Sequence, residues 1–292
     1  MNGPTPTSTA LTEADVSPVT DSELVHSRDV VRRYSAERDV QVHTGADRFR
    51  VRSTPESLRL HHPLTADTIS DQTVVAGLCG LVDEGLIVGQ DEFEQVFTEV
   101  VQSCHVDPAA AWRHFYRNSV RELRGTDGAF SPVHRRARSL LVGDSVLEVG
   151  SCFGLLALQC AQDGFRVSAC DICPGALELL DAAAADFGVP LATSLADARS
   201  LPYATDSSDT VTLIHLLEHL DGPDVTRAID EAVRVARRRV VIAVPYEEVP
   251  NEHFGHRQRL TEADLHRWAA DRPDCSVEIF DDHGGWLVLE PR

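Results

Sequence analysis

The segment spanning residues 146–154 has the pattern of a turn that binds a ligand. It reads VLEVGSCFG, an apolar run that leads into Gly150, Ser151, Cys152 and Gly154, and the apolar stretch LLALQCAQ follows. This order predicts a buried strand, a tight turn and a helix, in which small residues let backbone N–H groups approach a ligand beside a helix N-terminus. These four residues are candidate ligand contacts, although a short glycine turn can also be an ordinary connection.

Glu148 narrows the kind of ligand that this turn suits. A dinucleotide site carries G-x-G-x-x-G, whereas this turn is shorter and follows a strand that contains an acid. A carboxylate opposes a diphosphate but attracts a ligand that carries an ammonium and a sulfonium.

Two further acids follow the next two predicted strands. Asp171 ends RVSACD, where a carboxylate can accept hydrogen bonds from both ribose hydroxyls, or can instead cap the helix that begins at PGALELL. Asp197 follows PLATSL, where it can bind an adenine amino group or form a local Asx-turn. Ile172 and Ala198, the residues next to these acids, complete the predicted cofactor contacts.

A histidine-rich stretch, HLLEHL, follows the fourth predicted strand. His215 ends that strand and is both a candidate cofactor contact and a candidate general base. His219 lies one helical turn farther and is the alternative base, and Glu218 can orient either ring. A lone histidine can equally be a capping or packing residue, as can His256 and His283 in later loops.

The same stretch spells H-x-x-E-H, a zinc-protease pattern. That interpretation needs both histidines on one helix with a further acidic ligand, whereas this stretch adjoins a buried strand, so we predict no zinc-protease site and no metal ligands. A divalent ion that assists catalysis stays open, since Asp, Glu and His are available.

Short β-rich runs alternate with helical ones from residue 145 onward, which predicts an α/β domain with a mostly parallel sheet. Only a DHGG turn separates the last two runs, SVEIF and WLVLE, so they must form an antiparallel hairpin. We predict that this domain spans residues 131–292. It opens with Ser131 as a cap and Pro132 at the first helical position.

The preceding residues predict a mainly helical accessory region over 23–130 and a disordered tail over 1–22. One or two β-hairpins are expected near residues 40–60, followed by three helices, the third capped by Asp107 and ended by Gly125. That third helix carries four aromatic side chains that can stack on a sugar ring but are more often core residues: Trp112, His114, Phe115 and Tyr116.

The composition excludes several classes of function. The chain has 292 residues and a formal net charge of −19, which disfavours nucleic acid as a partner. No apolar run is long enough to span a bilayer, and no export signal is recognisable. Seven cysteines, including a C-x-x-C at Cys170 and Cys173, favour reduced thiols and a cytoplasmic location over a disulfide framework or a zinc site.

Taken together, EVGSCFG, the acid that ends the second strand, the AD after the third and TLIHLLEHL resemble the class I S-adenosylmethionine-dependent methyltransferases. Cys152 departs from the second glycine usual in that superfamily. Within it, VLEVGSCFG, HLLEHL, VIAVP, FGHRQRL and DHGGWLVL resemble the mycofactocin oligosaccharide methyltransferases of actinobacteria.

This resemblance implies a Rossmann-like, seven-stranded fold with S-adenosylmethionine as methyl donor and S-adenosylhomocysteine as product. It also implies O-methylation of a glucose unit on the oligosaccharide of a peptide-derived redox cofactor. The alternatives are a methyltransferase for another small acceptor, such as a quinone or secondary metabolite, and a noncatalytic module that binds the cofactor. The sequence leaves the oligomeric state open.

Overall fold

The computed structural model describes residues 26–30, 38–44, 47–53, 58–126 and 128–292, so the predicted tail over residues 1–22 lies outside the described residues. The described part of the chain begins with an antiparallel sheet in the order β1-β4-β3-β2. Its strands are β1 (His26–Val30), β2 (Arg38–Thr44), β3 (Asp47–Ser53) and β4 (Leu58–His62). The hairpins expected near residues 40–60 correspond to β2, β3 and β4, whereas β1 was not predicted from its short HSRDV sequence.

Four helices follow this sheet: α1 (Asp71–Asp83), α2 (Gln90–Ser103), α3 (Pro108–Arg124) and α4 (Ser131–Ser139). Helix α3 begins as predicted, because the Asp107 carboxylate accepts the Ala109 N–H at 3.0 Å. The start of α4 differs from the prediction. Ser131 is the first helical residue rather than the cap, and its hydroxyl donates to the Glu122 carbonyl at 3.0 Å, which ties α4 to the end of α3.

A seven-stranded sheet forms the second half of the chain. Its strands are β5 (Ser145–Val149), β6 (Arg166–Asp171), β7 (Leu191–Leu195), β8 (Ser208–Ile214), β9 (Ala236–Val244), β10 (Cys275–Asp281) and β11 (Gly285–Pro291). They lie in the order β10-β11-β9-β8-β5-β6-β7, and β11 alone runs antiparallel to the other six, because it pairs antiparallel with both β9 and β10. The predicted fold class, a mostly parallel Rossmann-like sheet with a closing hairpin, is confirmed.

Four helices cover the two faces of this sheet: α5 (Leu155–Gln162), α6 (Pro174–Phe187), α7 (Gly222–Val235) and α8 (Glu262–Ala270). One apolar cluster includes α5, α6 and the N-terminal elements, and a second includes α7 and α8. The first cluster contains residues from both sides of residue 130. The boundary predicted there, between the accessory region and the catalytic domain, stays a prediction. No helix in the described part of the chain is both long enough and apolar enough to cross a bilayer.

The strand order places β5 between β8 and β6. The next strands, β6 and β7, extend the sheet on one side of β5, and β8 and β9 then extend it on the other side, so the order of the strands reverses at β5. In parallel α/β sheets the crevice at such a point, beyond the carboxyl ends of the strands, is where ligands bind. The loops after β5, β6 and β8 meet at this edge, and they carry most of the predicted site residues.

Candidate active site at the carboxyl edge of the sheet

The glycine turn after β5 requires both of its glycines. Gly150 and Gly154 have φ angles of +72° and +64°, a region that costs other residues strain. A Cβ on Gly150 would lie 2.6 Å from the Leu216 side chain, and one on Gly154 would lie 2.4 Å from Leu180. Because Leu216 follows His215, the glycine turn packs directly against the residues after β8.

Asp171 joins two loops at the sheet edge. Its carboxylate accepts the Cys152 N–H at 2.8 Å and the Cys173 N–H at 2.9 Å. Cys173, not Asp171, occupies the cap position of α6, so the capping alternative is wrong in its position. A carboxylate has about four lone-pair sites, so roughly two remain for a ligand's hydroxyl groups. The neighbouring Ile172 is 73% exposed, which gives an apolar surface beside the acid.

Glu148 supports the turn from below. The side chain is buried, and its carboxyl accepts the Ala157 N–H at 2.8 Å in the first turn of α5. Burial raises the pKa of this carboxyl to about 8. The structure therefore shows Glu148 bonded to the helix N-terminus, and its expected contact with a ligand ammonium stays a prediction. Ser151, one turn residue farther on, has a buried hydroxyl without a hydrogen-bond partner among the described residues.

The Asp197 carboxylate forms an ion pair with the Arg199 side chain in this structure. The Arg199 Nε lies 2.9 Å from its Oδ1, and Arg199 also binds Asp224 at 2.6 Å. This hydrogen bond with Arg199 lowers the pKa of Asp197. An adenine amino group would share the Asp197 carboxylate with Arg199, a competition that the sequence did not predict. The next residue, Ala198, is buried.

His215 occupies the position expected of a residue that faces a ligand. It directly follows β8, with a left-handed φ of +53°, and its ring meets the Phe130 ring edge-on at 5.3 Å. The His215 Nδ1 lies 3.5 Å from the Glu218 Oε1. Burial, together with His256 and His219, lowers the pKa of His215 to about 4, so the imidazole is neutral near pH 7.

Glu218 pairs with His215 rather than with His219. Its side chain is only 1% exposed and neither carboxylate oxygen has a hydrogen-bond partner among the described residues, and burial raises its pKa to about 8. His219 instead donates from Nδ1 to the Gly255 carbonyl at 3.2 Å, and its ring meets the His256 ring at 5.0 Å.

Sequence reasoning missed how the loop after β9 completes this cluster. His256 donates from Nδ1 to the Glu247 carboxylate at 2.7 Å, and the backbone N–H of Arg257 donates to the Glu218 carbonyl at 2.8 Å. Only the FGHRQRL wording of this segment could have drawn attention to it. By contrast, His283 lies in the β10–β11 turn, is exposed and pairs with Asp282 at 3.8 Å.

The aromatic residues of α3 are core residues, and they anchor the glycine turn. Trp112, Phe115 and Tyr116 are buried. The Phe153 ring of the turn lies 5.7 Å from Trp112 and 5.3 Å from Phe115. Because these three side chains are buried, the alternative that they stack on a sugar ring is not supported. Phe153, which packs against them, is a structural residue that the sequence analysis did not identify.

The C-x-x-C pair is not brought together. Cys170 is buried within β6, whereas Cys173 is exposed at the start of α6, and all seven cysteines are free thiols. The two cysteines therefore lie on either side of the turn between β6 and α6.

The sheet order and the three loop ends define the Rossmann-like class of nucleotide-type α/β domains. Comparison with known proteins refines this class. Residues 147–244, from β5 to the end of β9, match the family described as "Methyltransferase domain". This segment is therefore similar to methyltransferase domains, and S-adenosylmethionine is the cofactor that such a domain uses.

Among curated proteins, an uncharacterized protein of Mycobacterium tuberculosis is 35% identical over 113 residues, which is 39% of this chain and 40% of that protein. A second uncharacterized protein of that organism is 33% identical over 96 residues, 33% of this chain and 34% of that protein. The chain thus matches well under half the length of these relatives. Among solved structures, the PH0226 protein from Pyrococcus horikoshii has a TM-score of 0.50 at 13% identity, covers 59% of this chain and 94% of that chain, and shows the same fold.

The residues present fit S-adenosylmethionine. The orphaned Ser151 hydroxyl and the glycine turn offer polar contacts at the end of β5, and Asp171 retains acceptor capacity for ribose hydroxyls. The exposed Ile172 adds an apolar surface of the kind that a purine ring contacts.

Proposed function

We propose that this chain is an S-adenosylmethionine-dependent O-methyltransferase that methylates a glucose hydroxyl of the mycofactocin oligosaccharide. The observation that carries methyl transfer is the meeting of the glycine turn, Asp171 and His215 at one edge of a methyltransferase domain. The glycan acceptor is supported by the sequence resemblance alone.

In this proposal each predicted site residue has a distinct task. The bound donor supplies a methyl group on a positively charged sulfur. Gly150, Ser151, Cys152 and Gly154 bind its amino-acid end, and Asp171 and Ile172 hold its ribose and adenine. Asp197 and Ala198 line the far side of the adenine.

His215 is proposed as the base. A sugar hydroxyl is a weak nucleophile that must lose its proton as the methyl group transfers, so a base within hydrogen-bond reach accelerates the step. The Glu218 Oε1 lies 3.5 Å from Nδ1 without a hydrogen bond in this structure, and we propose that it approaches Nδ1 when substrate binds, which would orient the ring so that Nε2 accepts the proton. His219 is the alternative base, since its Nδ1 donates to the Gly255 carbonyl and leaves Nε2 free to accept a proton, but its ring lies against His256 rather than directly at the end of β8.

The experiment that tests the proposal is transfer of a labelled methyl group from S-adenosylmethionine to glycosylated mycofactocin, with unglycosylated mycofactocin and a quinone as parallel acceptors. Label in the glycan alone supports the proposal. Label in the quinone would retain the methyltransferase and replace the acceptor, and calorimetric binding of S-adenosylhomocysteine without transfer to any acceptor would favour a noncatalytic module. We further propose a reducing, cytoplasmic location, which the seven free thiols suit.

A further inference from the structure

Three potential metal ligands from two separate loops converge beside the proposed base. Glu218 and His219 belong to the short 3₁₀ helix after β8, and His256 belongs to the loop after β9. One ligand atom from each of the three side chains lies within 4.8 Å of the others. A modest side-chain adjustment brings such atoms to the bond lengths of about 2.0–2.2 Å that zinc requires.

Both histidines are already in the tautomer that a metal needs. The Nδ1 atoms donate to fixed acceptors, that of His219 to the Gly255 carbonyl and that of His256 to the Glu247 carboxylate. A neutral imidazole with hydrogen on Nδ1 presents the lone pair of Nε2 to a ligand. Metal-binding histidines almost always donate their other N–H to a carbonyl or carboxylate in this way, which orients the ring and increases its basicity.

Glu218 supplies an independent observation. Its carboxyl group is 1% exposed, and both oxygens lack a hydrogen-bond partner among the described residues. Leaving a buried polar group unpaired costs about 1–3 kcal/mol, and more for a charged one. Its Oε1 lies 3.9 Å from Nε2 of His256, so the orphaned carboxyl faces the free nitrogen lone pair of that ring. A cation between them satisfies both groups.

We infer that Glu218, His219 and His256 form a binding site for a divalent transition-metal ion. Two imidazoles and one carboxylate favour zinc, iron or cobalt over magnesium, which prefers oxygen ligands. Three protein ligands leave at least one coordination position open. The site is not the one that the H-x-x-E-H spacing predicts, because the structure joins His219 to His256 rather than to His215.

This assignment also bears on the acceptor, a consequence that rests on the proposed function. An acceptor hydroxyl at the open position would lose its proton more readily, because a divalent cation stabilises the alkoxide. A sugar with two neighbouring hydroxyls can bind such an ion through both. His215, which lies beside Glu218, would receive the proton.

The direct test is metal binding by the full chain, purified without a polyhistidine tag and freed of metal by a chelator. Zinc is titrated by calorimetry, and cobalt by its visible absorption, which reports the coordination geometry. We expect one ion per chain, with magnesium binding far more weakly. Glu218→Gln and His256→Gln should abolish this binding, whereas His266→Gln, on the exposed face of α8, should leave it unchanged.

Glu247→Gln tests the site without removing any ligand. Loss of the carboxylate that orients His256 should weaken zinc binding by about 10- to 100-fold. Circular dichroism checks that each variant is folded. A wild-type chain that binds no ion overturns the proposal, and so does binding that survives in folded Glu218→Gln and Glu247→Gln alike. Because these readouts involve neither methyl donor nor acceptor, they are independent of the proposed activity.

A second, partly buried histidine pair, His105 and His114, gives a control for binding elsewhere on the chain. The His105 and His114 rings stack at 6.0 Å, far along the chain from the proposed ligands. Titration in a His105→Gln background should still yield one ion per chain. Loss of binding in that background would assign the ion to the His105–His114 pair and overturn the proposal.

Discussion

Replacement of Asp171 by alanine should weaken S-adenosylhomocysteine binding by about two orders of magnitude. A hydrogen bond to a charged group contributes about 1.5–3 kcal/mol, so two ribose hydroxyls at the low end contribute about 3 kcal/mol. At about 1.4 kcal/mol per tenfold change in affinity, this corresponds to roughly 100-fold. Asp171→Asn keeps one acceptor oxygen without the charge and should lose about tenfold. Calorimetric titration measures both affinities.

The Asp171 side chain also organises the glycine turn through Cys152 and Cys173, so the affinity loss must be separated from local disorder. An analogue without the ribose 2′-hydroxyl provides this separation. If Asp171 binds that hydroxyl, the analogue should bind more weakly than S-adenosylhomocysteine to the wild type but about equally to Asp171→Ala. If the analogue loses as much affinity with Asp171→Ala as with the wild type, the effects of the two changes are additive, and this result would refute the ribose contact. Asp197→Ala is the matched control, because Arg199 already engages that carboxylate, and its effect should be smaller.

Three further predictions follow from described contacts. The His215→Asn variant should lower turnover by about 10²- to 10⁴-fold, while the affinity for S-adenosylhomocysteine, measured by calorimetry, should be unchanged. Asparagine is chosen because it tolerates the left-handed backbone of His215. Unaltered turnover would show that His215 is not the base. Phe153→Ala should lower the free energy of unfolding in urea by about 3 kcal/mol through lost aromatic contacts, and a loss below about 1 kcal/mol would contradict the anchoring role. Hydrogen bonds from the Asp144 and Ser145 N–H groups and from Arg237 lower the pKa of Asp209 to about 2. Asp209→Asn should therefore lower the free energy of unfolding in urea by about 2 kcal/mol at pH 7, and this difference should shrink as the pH falls from about 4 to 2. A difference that is independent of pH would contradict the assignment.

The sign of the Asp209 prediction follows from the direction of its shift. The folded protein holds this carboxyl in its charged form more strongly than the unfolded chain does. Its contribution is therefore complete above the unfolded pKa and disappears as the pH falls through the folded value.

The seven-stranded sheet could be predicted because strand and helix patterns alternate along the sequence, and because the DHGG turn is too short for a parallel connection. The start of α4 could not, since Ser131 and Pro132 have the composition of a cap, and the competing bond from Ser131 to the Glu122 carbonyl depends on how two helices pack. Strand β1 was missed for a similar reason: its pairing with β4 is a contact between distant segments.

At the site, sequence order located the strand ends but not the partners of the side chains. Glu148 and Asp171 were identified as acids at the sheet edge, yet their hydrogen bonds to Ala157, Cys152 and Cys173 depend on the path of the turns. His256 could not be joined to Glu218 from sequence, because the two residues are 38 positions apart, with helix, strand and loop between them, and only the parallel neighbours β8 and β9 bring their ends together.

The contact between Trp112 and Phe153 gives the molecule an intrinsic optical reporter. The chain has three tryptophans, and Trp112 is the one whose indole lies against a residue of the glycine turn. Trp268 packs in the opposite apolar cluster, and Trp286 stacks on Phe280 in the closing hairpin. Binding that shifts the Phe153 ring should therefore change the emission of one fluorophore against two constant ones, so that occupancy of the donor site can be followed in real time without a label.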